Sequence, residues 1–215
     1  MSTLHRRSWL AALALAITAY TLPAAAAAAE APDAMVKRLS TELLQLIKND
    51  PAIKAGDQAR IMAVVNEQIM PNVNFDRMSA SAVGRHWRQA TPEQQKRLQE
   101  EFKAMLVRTY SGALGEVGDQ TLHFKPMRMQ PSDTEVVVRS EVRGRGEPIQ
   151  LDYRMEKAGD SWKIYDINIL GLWMVDSYRN QFAPELNARG IDGLIDTLSQ
   201  RNRAGANGSA AAKGK

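Results

Sequence analysis

The chain of 215 residues contains no cysteine. That excludes disulfide staples, thiol catalysis and the lipid-bearing cysteine that a bacterial lipoprotein needs at its cleavage site. Histidine is scarce as well, with only His86 and His123 beyond the first 29 residues. No HExxH, no glycine-rich phosphate loop and no GxSxG occurs, so the usual metal, nucleotide and serine-nucleophile chemistries have no carrier. Aromatic residues make up 6% of the chain, so its interior must be built mostly from aliphatic side chains and from ten methionines. The longest apolar run, Trp9–Leu22, is too short for a comfortable membrane span of about 20 residues. No internal repeat is present.

What is there begins with an export signal. Met1–Ser8 holds Arg6 and Arg7 and no acid, Trp9–Leu22 is apolar, and the alanines up to Ala29 supply small-residue cleavage sites. Residues 1–29 therefore read as a secretory signal peptide, which predicts an exported mature protein. Arg6-Arg7 loosely resembles a twin-arginine signal, but the general secretory route is ranked ahead of it. The basic pI near 9.4 comes from the two ends. Over residues 30–201, 23 basic residues meet 24 acidic ones. A near-neutral body offers no general electrostatic case for binding nucleic acid. Residues 30–201 read as a single domain, and 202–215, with nothing to bury, as a disordered tail.

Residues 31–50 carry an apolar stripe (Val36, Leu39, Leu43, Leu46, Ile47) that predicts a helix closed by Asp50-Pro51. Residues 57–70 and 75–86 predict two more. Thr91-Pro92-Glu93-Gln94 is a capping box with proline at the first helical position. It opens a helix to about Val117 whose wide apolar face includes Leu98, Phe102, Met105, Leu106, Tyr110 and Leu114. The pattern then changes to period two. Strands are expected around Leu122–Phe124, over 135–142, from Ile149 and from Trp162 to Leu170. The last has a parity fault. Trp162 and Ile164 fall on one parity and Ile167 and Ile169 on the other, so either a bulge flips it or both faces are partly covered. Gly171 ends the strand, and helices follow at 175–186 and, past Gly190, at 191–200. Helices first, then strands, then helices predicts an α+β fold: N-terminal helices and one long helix on a curled four-stranded antiparallel meander, with C-terminal helices behind it.

The chemical candidates are few. His86 reads as a helix-end surface residue. His123 reads as a cross-strand polar contact, with an acid–base pair to Asp152 or Asp166 as the alternative. Asp152, Arg154 and Glu156 read as a solvated strand face. Arg85 and Arg88 read as solvated or paired with acids, with a lipid phosphate as the alternative partner. The methionines suit an adaptable apolar surface, though ordinary core filling explains each of them singly.

Several segments together carry a resemblance. They are Pro71-Asn-Val-Asn-Phe75 with Met78, Gly84-Arg-His-Trp87-Arg88 and Ala90-Thr91-Pro92-Glu93-Gln94. Further on come Phe102, Leu106, Tyr110, Leu151-Asp152-Tyr153, Trp162-Lys163-Ile164-Tyr165-Asp166 and Tyr178-Arg179-Asn180-Gln181-Phe182. In order and spacing this set resembles the MlaC-type periplasmic phospholipid-binding proteins, also called the toluene-tolerance family. The resemblance implies an NTF2-like curled sheet with a cavity between sheet and helices. It implies a soluble monomeric carrier, not an enzyme, with no cofactor and phospholipid as cargo. It further implies lipid exchange with an outer-membrane lipoprotein–porin complex and an inner-membrane ABC transporter bearing an MCE-domain ring, which maintains outer-membrane lipid asymmetry and solvent tolerance. Strand parity and helical face then give the expected lipid-lining residues: Phe102, Met105, Leu106, Tyr110, Leu151, Tyr153, Ile164, Ile167 and Trp173. One position departs from the family pattern, which has a small serine after a glycine and an aliphatic residue. Here the sequence is Gly171-Leu172-Trp173, and the indole is expected to narrow the cavity or line its mouth. A catalyst on the same scaffold using His123, and an adaptor with a filled core, are the competing readings.

Overall fold

The computed structural model describes residues 30–144 and 146–213, with side chains as far as Gly205. The segment 1–29 read as a signal peptide lies outside the described residues. Helix α1 spans Pro32–Asn49 and buries Met35, Val36 and Leu39. Asp50 both closes it and starts the next helix: its Oδ1 accepts from the amides of Ala52 (2.9 Å) and Ile53 (3.2 Å), which opens the one-turn α2, Pro51–Lys54. Asp57 caps α3, Gln58–Val64, in the same way. The helix expected to run to Met70 changes character at its midpoint. Its backbone widens into a π-helical stretch over Val65–Ile69, then tightens into a 3₁₀ turn at Met70–Asn72 ahead of the capped α4, Phe75–Val83. Helix α5, Pro92–Gly115, opens with the expected capping box. The Thr91 hydroxyl accepts from Gln94 N at 3.2 Å, and Gln94 Oε1 accepts from Thr91 N at 2.9 Å.

The sheet is an antiparallel meander of five strands, not four, in the order β1-β2-β3-β4-β5. The strands are β1 Thr121–Phe124, β2 Glu135–Arg143, β3 Ile149–Ala158, β4 Ser161–Ile169 and β5 Leu172–Trp173. The extra strand follows a two-residue turn with Leu170 at φ 53° and Gly171 at φ 86°. Both central residues of such a turn take positive φ, which usually selects Asn-Gly. A leucine in the first place hides the hairpin from a sequence reading. The parity fault in β4 is a bulge. Met155 pairs with Ile164 and Arg154 with Asp166, so the extra residue Tyr165 brings Trp162, Ile164, Ile167 and Ile169 onto one face.

Helix α6, Met174–Lys213, is broken at Gly190, whose φ of 66° no helix accommodates. The tail expected to lack structure continues this helix to Lys213. Alanine favours helix there, and Asn202 ties the start of that run to α5 by donating to the Glu101 carbonyl (2.9 Å) and carboxylate (2.7 Å).

The long helix lies over the sheet, but it packs on other helices. Its buried residues join two separate apolar clusters with different partners, and a third cluster does without it. Phe102 and Met105 pack with Phe75, Met78, Tyr178 and Phe182 of α4 and α6. Val107 packs with Ile53, Ile61 and Val64 of α2 and α3. The sheet's own cluster, with Val138, Tyr153, Met155 and Ile164, is closed by Met35, Val36 and Leu39 of α1 and takes nothing from α5.

The outer face of the sheet contradicts the solvated-face expectation. Asp152 and Asp166 are buried. Asp152 Oδ2 accepts from Gln150 Nε2 at 2.6 Å, and its Oδ1 from Ser140 N at 3.2 Å. Glu156 is bound by Arg77 of α4. Asp166 joins four elements. Its Oδ2 takes the Arg154 guanidinium of β3 at 2.9 Å, and its Oδ1 accepts from Ile167 N (2.9 Å) and from Val175 N of α6 (3.0 Å). Arg154 in turn lies 3.8 Å over the Trp173 ring of β5. Burial pushes the Asp166 carboxyl up, against the pull of the two backbone amides and Arg154. Asp166→Ala should cost about 3 kcal/mol, because it strands the Val175 amide and the Arg154 charge together. Asp166→Asn, which keeps an acceptor for Val175, should cost less; urea unfolding of both variants measures the difference.

Candidate functional site

Where α5 stands off the sheet, two cavities open. The larger, about 340 Å³, lies between α1, the C-terminal end of α5 and strands β1 to β3. Its wall includes Leu43, Leu44 and Ile47 of α1, Ala113 and Val117, and Leu122, Val142, Leu151 and Tyr153. The smaller, about 280 Å³, lies between α3, the π-helical stretch, α4, α5 and β4. It is walled by Val65, Ile69, Met70, Val73, Met78, Leu106, Tyr110, Leu114, Ile167, Ile169 and Met174, among others. Each is near the lower end of the range for small-molecule pockets. They share one sheet face: Leu151 and Tyr153 border the first, and their direct cross-strand partners Ile169 and Ile167 border the second.

The walls are apolar but incompletely covered. Leu43, Leu106, Leu151, Ile167 and Ile169 are all half-buried. In the second half of β4 the usual order is therefore inverted, with Asp166 and Asn168 buried while Ile167 and Ile169 are not. Titratable chemistry is almost lacking. Burial pushes the Tyr153 hydroxyl up, opposed by the Ser40 and Ser140 hydroxyls beside it. Tyr178 is pushed up in the same direction by burial and by the neighbouring Tyr110 hydroxyl. His123 is exposed, meets the Thr121 hydroxyl at 3.2 Å and pairs across the sheet with Glu141, so neither Asp152 nor Asp166 is its partner. Glu141 is itself held by Lys125 and Arg143. Among the described residues no group of three or more His, Asp or Glu could hold a metal ion. No described helix is long and apolar enough to cross a membrane.

An apolar gap beneath a long helix on a five-stranded meander has clear relatives. The sequence matches the family described as MlaC protein over residues 37–200. The chain belongs to the MlaC family. Over 214 residues it is 27% identical to the toluene tolerance protein ttg2D of Pseudomonas putida, covering 96% of this chain and 97% of that one. Over 204 residues it is 22% identical to the intermembrane phospholipid transport system binding protein MlaC of Haemophilus influenzae, covering 93% and 95%. Among solved structures it is similar to a phospholipid-binding protein from Ralstonia solanacearum in complex with a phospholipid. That match has 46% identity and a TM-score of 0.77, and covers 81% of this chain and 98% of that one.

Of the nine residues expected to line a cavity in this MlaC-family chain, Leu151 and Tyr153 border the larger one and Leu106, Tyr110 and Ile167 the smaller. The other four sit elsewhere. Phe102 is the hub of an aromatic cluster, with ring centroids 5.0 Å from Tyr178, 5.3 Å from Phe182 and 5.5 Å from Phe75. Met105 shares that core. Ile164 is buried beneath α1. Trp173 pairs with Asn168, which puts the indole on the outer face under Arg154, so it neither narrows a cavity nor forms a mouth. Sequence reading missed the α1 wall, the π-helical wall, Ile169 and Met174. The strand parity past the bulge would have found Ile169, had the bulge been assigned. Of the methionines, Met70, Met78 and Met174 line the smaller cavity, whereas Met127 and Met129 lie between β1 and β2 rather than in a strand.

Wall and core residues should respond differently to truncation. Phe102→Ala should cost about 3–5 kcal/mol as a core deletion. Leu106→Ala, half-uncovered already, should cost about 1 kcal/mol. Chemical denaturation of the two variants checks the assignment, and equal losses would contradict it.

Proposed function

We propose that this protein is a periplasmic carrier that binds glycerophospholipids by their acyl chains, in the cavities between α5 and the sheet. The observation that carries the reading is the pair of apolar cavities on one sheet face, in a fold that α5 cannot close. It is supported by membership of the MlaC family and by 46% identity to a protein solved in complex with a phospholipid. Its lipid-lining residues are those that border the cavities, with Leu106, Tyr110, Leu151, Tyr153 and Ile167 chief among them.

The energetics favour a carrier over free diffusion. Each buried methylene is worth about 0.8 kcal/mol, so a diacyl lipid with about 30 methylenes gains on the order of 20 kcal/mol as an upper bound. Release into water is then negligibly slow. Unloading must occur on a partner that offers a comparable apolar site or favours an opened cavity. An outer-membrane lipoprotein–porin complex and an inner-membrane MCE/ABC transporter are the partners we propose for the two ends of that exchange. Nothing in this reading requires catalysis, a metal or a cofactor.

The double variant Leu106→Glu, Leu151→Glu puts one charge into each cavity. It should retain its helical and strand circular dichroism and lose co-purified phospholipid, measured by lipid extraction and mass spectrometry. Unchanged lipid content in the folded variant would refute the site.

A further inference from the structure

The two cavities differ at their rims. The larger opens beside Glu116, and a small hollow next to it is lined by Glu116, Asp119 and Gln120. The smaller is bordered by apolar and neutral side chains except at one point, Lys103 of α5. The Lys103 side chain is half-buried, and its Nζ donates to Asn66 Oδ1 of the π-helical stretch at 2.8 Å. Glu67 and Glu100 stand at adjoining positions, yet Lys103 forms no ion pair among the described residues.

A lysine in such a place buries its methylene stem along the apolar wall and keeps its ammonium at the wet edge. Here the charge is met only by a neutral amide oxygen, so it is available to an anion. The arginines that the sequence offered for this role do not reach. Arg85 and Arg88 are exposed on the 3₁₀ turn Gly84–Gln89 and border neither cavity.

We propose that Lys103, with Asn66 beside it, binds the phosphate of a lipid whose chains occupy the smaller cavity. The acyl chains lie against Leu106, Ile167 and Met174, and the anionic phosphate meets the ammonium at the rim. The acidic rim of the larger cavity repels the same group. The lipid is thereby oriented, and a phosphate-bearing lipid is selected over a neutral diacylglycerol. This inference rests on the carrier reading and adds the side chain that reads the headgroup.

The test is competitive uptake by the purified chain from liposomes holding equal amounts of phosphatidylglycerol and of diacylglycerol with the same acyl chains. Bound lipid is quantified by mass spectrometry. The wild-type chain should favour phosphatidylglycerol. Lys103→Gln should reduce that preference about tenfold, at unchanged total lipid, as expected for the loss of one charge-assisted contact. Lys103→Arg should retain it, and raised salt should weaken it in the wild type. A preference indifferent to Lys103→Gln would overturn the inference and leave the carrier reading standing. A preference abolished by millimolar inorganic phosphate would assign the point to free phosphate and overturn it too. Failure of the wild-type chain to take up either lipid would remove the carrier reading itself.

Discussion

The structure depends on the long helix finding its apolar partners among other helices. Helix α5 has a wide apolar face, and tight burial of all of it against the sheet would give a single filled core of the ordinary kind. Instead Phe102 and Met105 are taken by α4 and α6, and Val107 by α2 and α3. The sheet's deepest row is taken by α1. What is left between them, Leu106, Tyr110 and Leu114 on one side and Leu151, Ile167 and Ile169 on the other, faces a gap that none of the described side chains closes. Apolar surface so placed favours an apolar occupant, because filling the gap removes both surfaces from water at once. The cavity is thus a consequence of how two helical clusters divide α5 while α1 takes the sheet's cluster.

A gap of this kind needs a rigid frame, and the frame is polar. The buried Asp166 joins β3, β4 and α6 directly, and β5 through Arg154 and Trp173. It caps α6 from β4, nine residues upstream of Val175, where a carboxylate also suits the helix dipole. On the same face Arg77 of α4 donates to Glu135 at 2.7 Å, binds Glu156 and lies 3.6 Å over the Tyr165 ring. Tyr165 is the bulged residue, and its hydroxyl donates to Glu135 at 3.0 Å. The outer face therefore carries the polar connections that fix α4 and α6 to the sheet, which leaves the part of the inner face beyond α1 free to stay apolar and half-covered.

Much of this was legible beforehand, and the failures have physical causes. The capping box at Thr91, the stripe on α1, the break at Gly190 and four of the five strands follow from local rules. The fifth strand was hidden because its turn uses leucine where the rule expects asparagine. Trp173 went to the wrong face with it, since a strand only two residues long has no alternation to read. Phe102 and Leu106 lie four positions apart on one helix, and periodicity alone treats them alike. Only the division of α5 among its neighbours separates core from wall. Asp152 and Glu156 were misjudged because alternation marks a polar face but not whether its groups are satisfied internally. Lys103 carried no signal in the sequence, since one lysine on an amphipathic helix is ordinary until its neighbours are known.

If the chain is a carrier, the gap beneath α5 holds lipid. Native mass spectrometry of the protein, exported in a Gram-negative host and never exposed to detergent, tests it most directly. A lipid-filled gap gives an added mass that resolves into phospholipid. A bare polypeptide mass that persists after incubation with liposomes would contradict it.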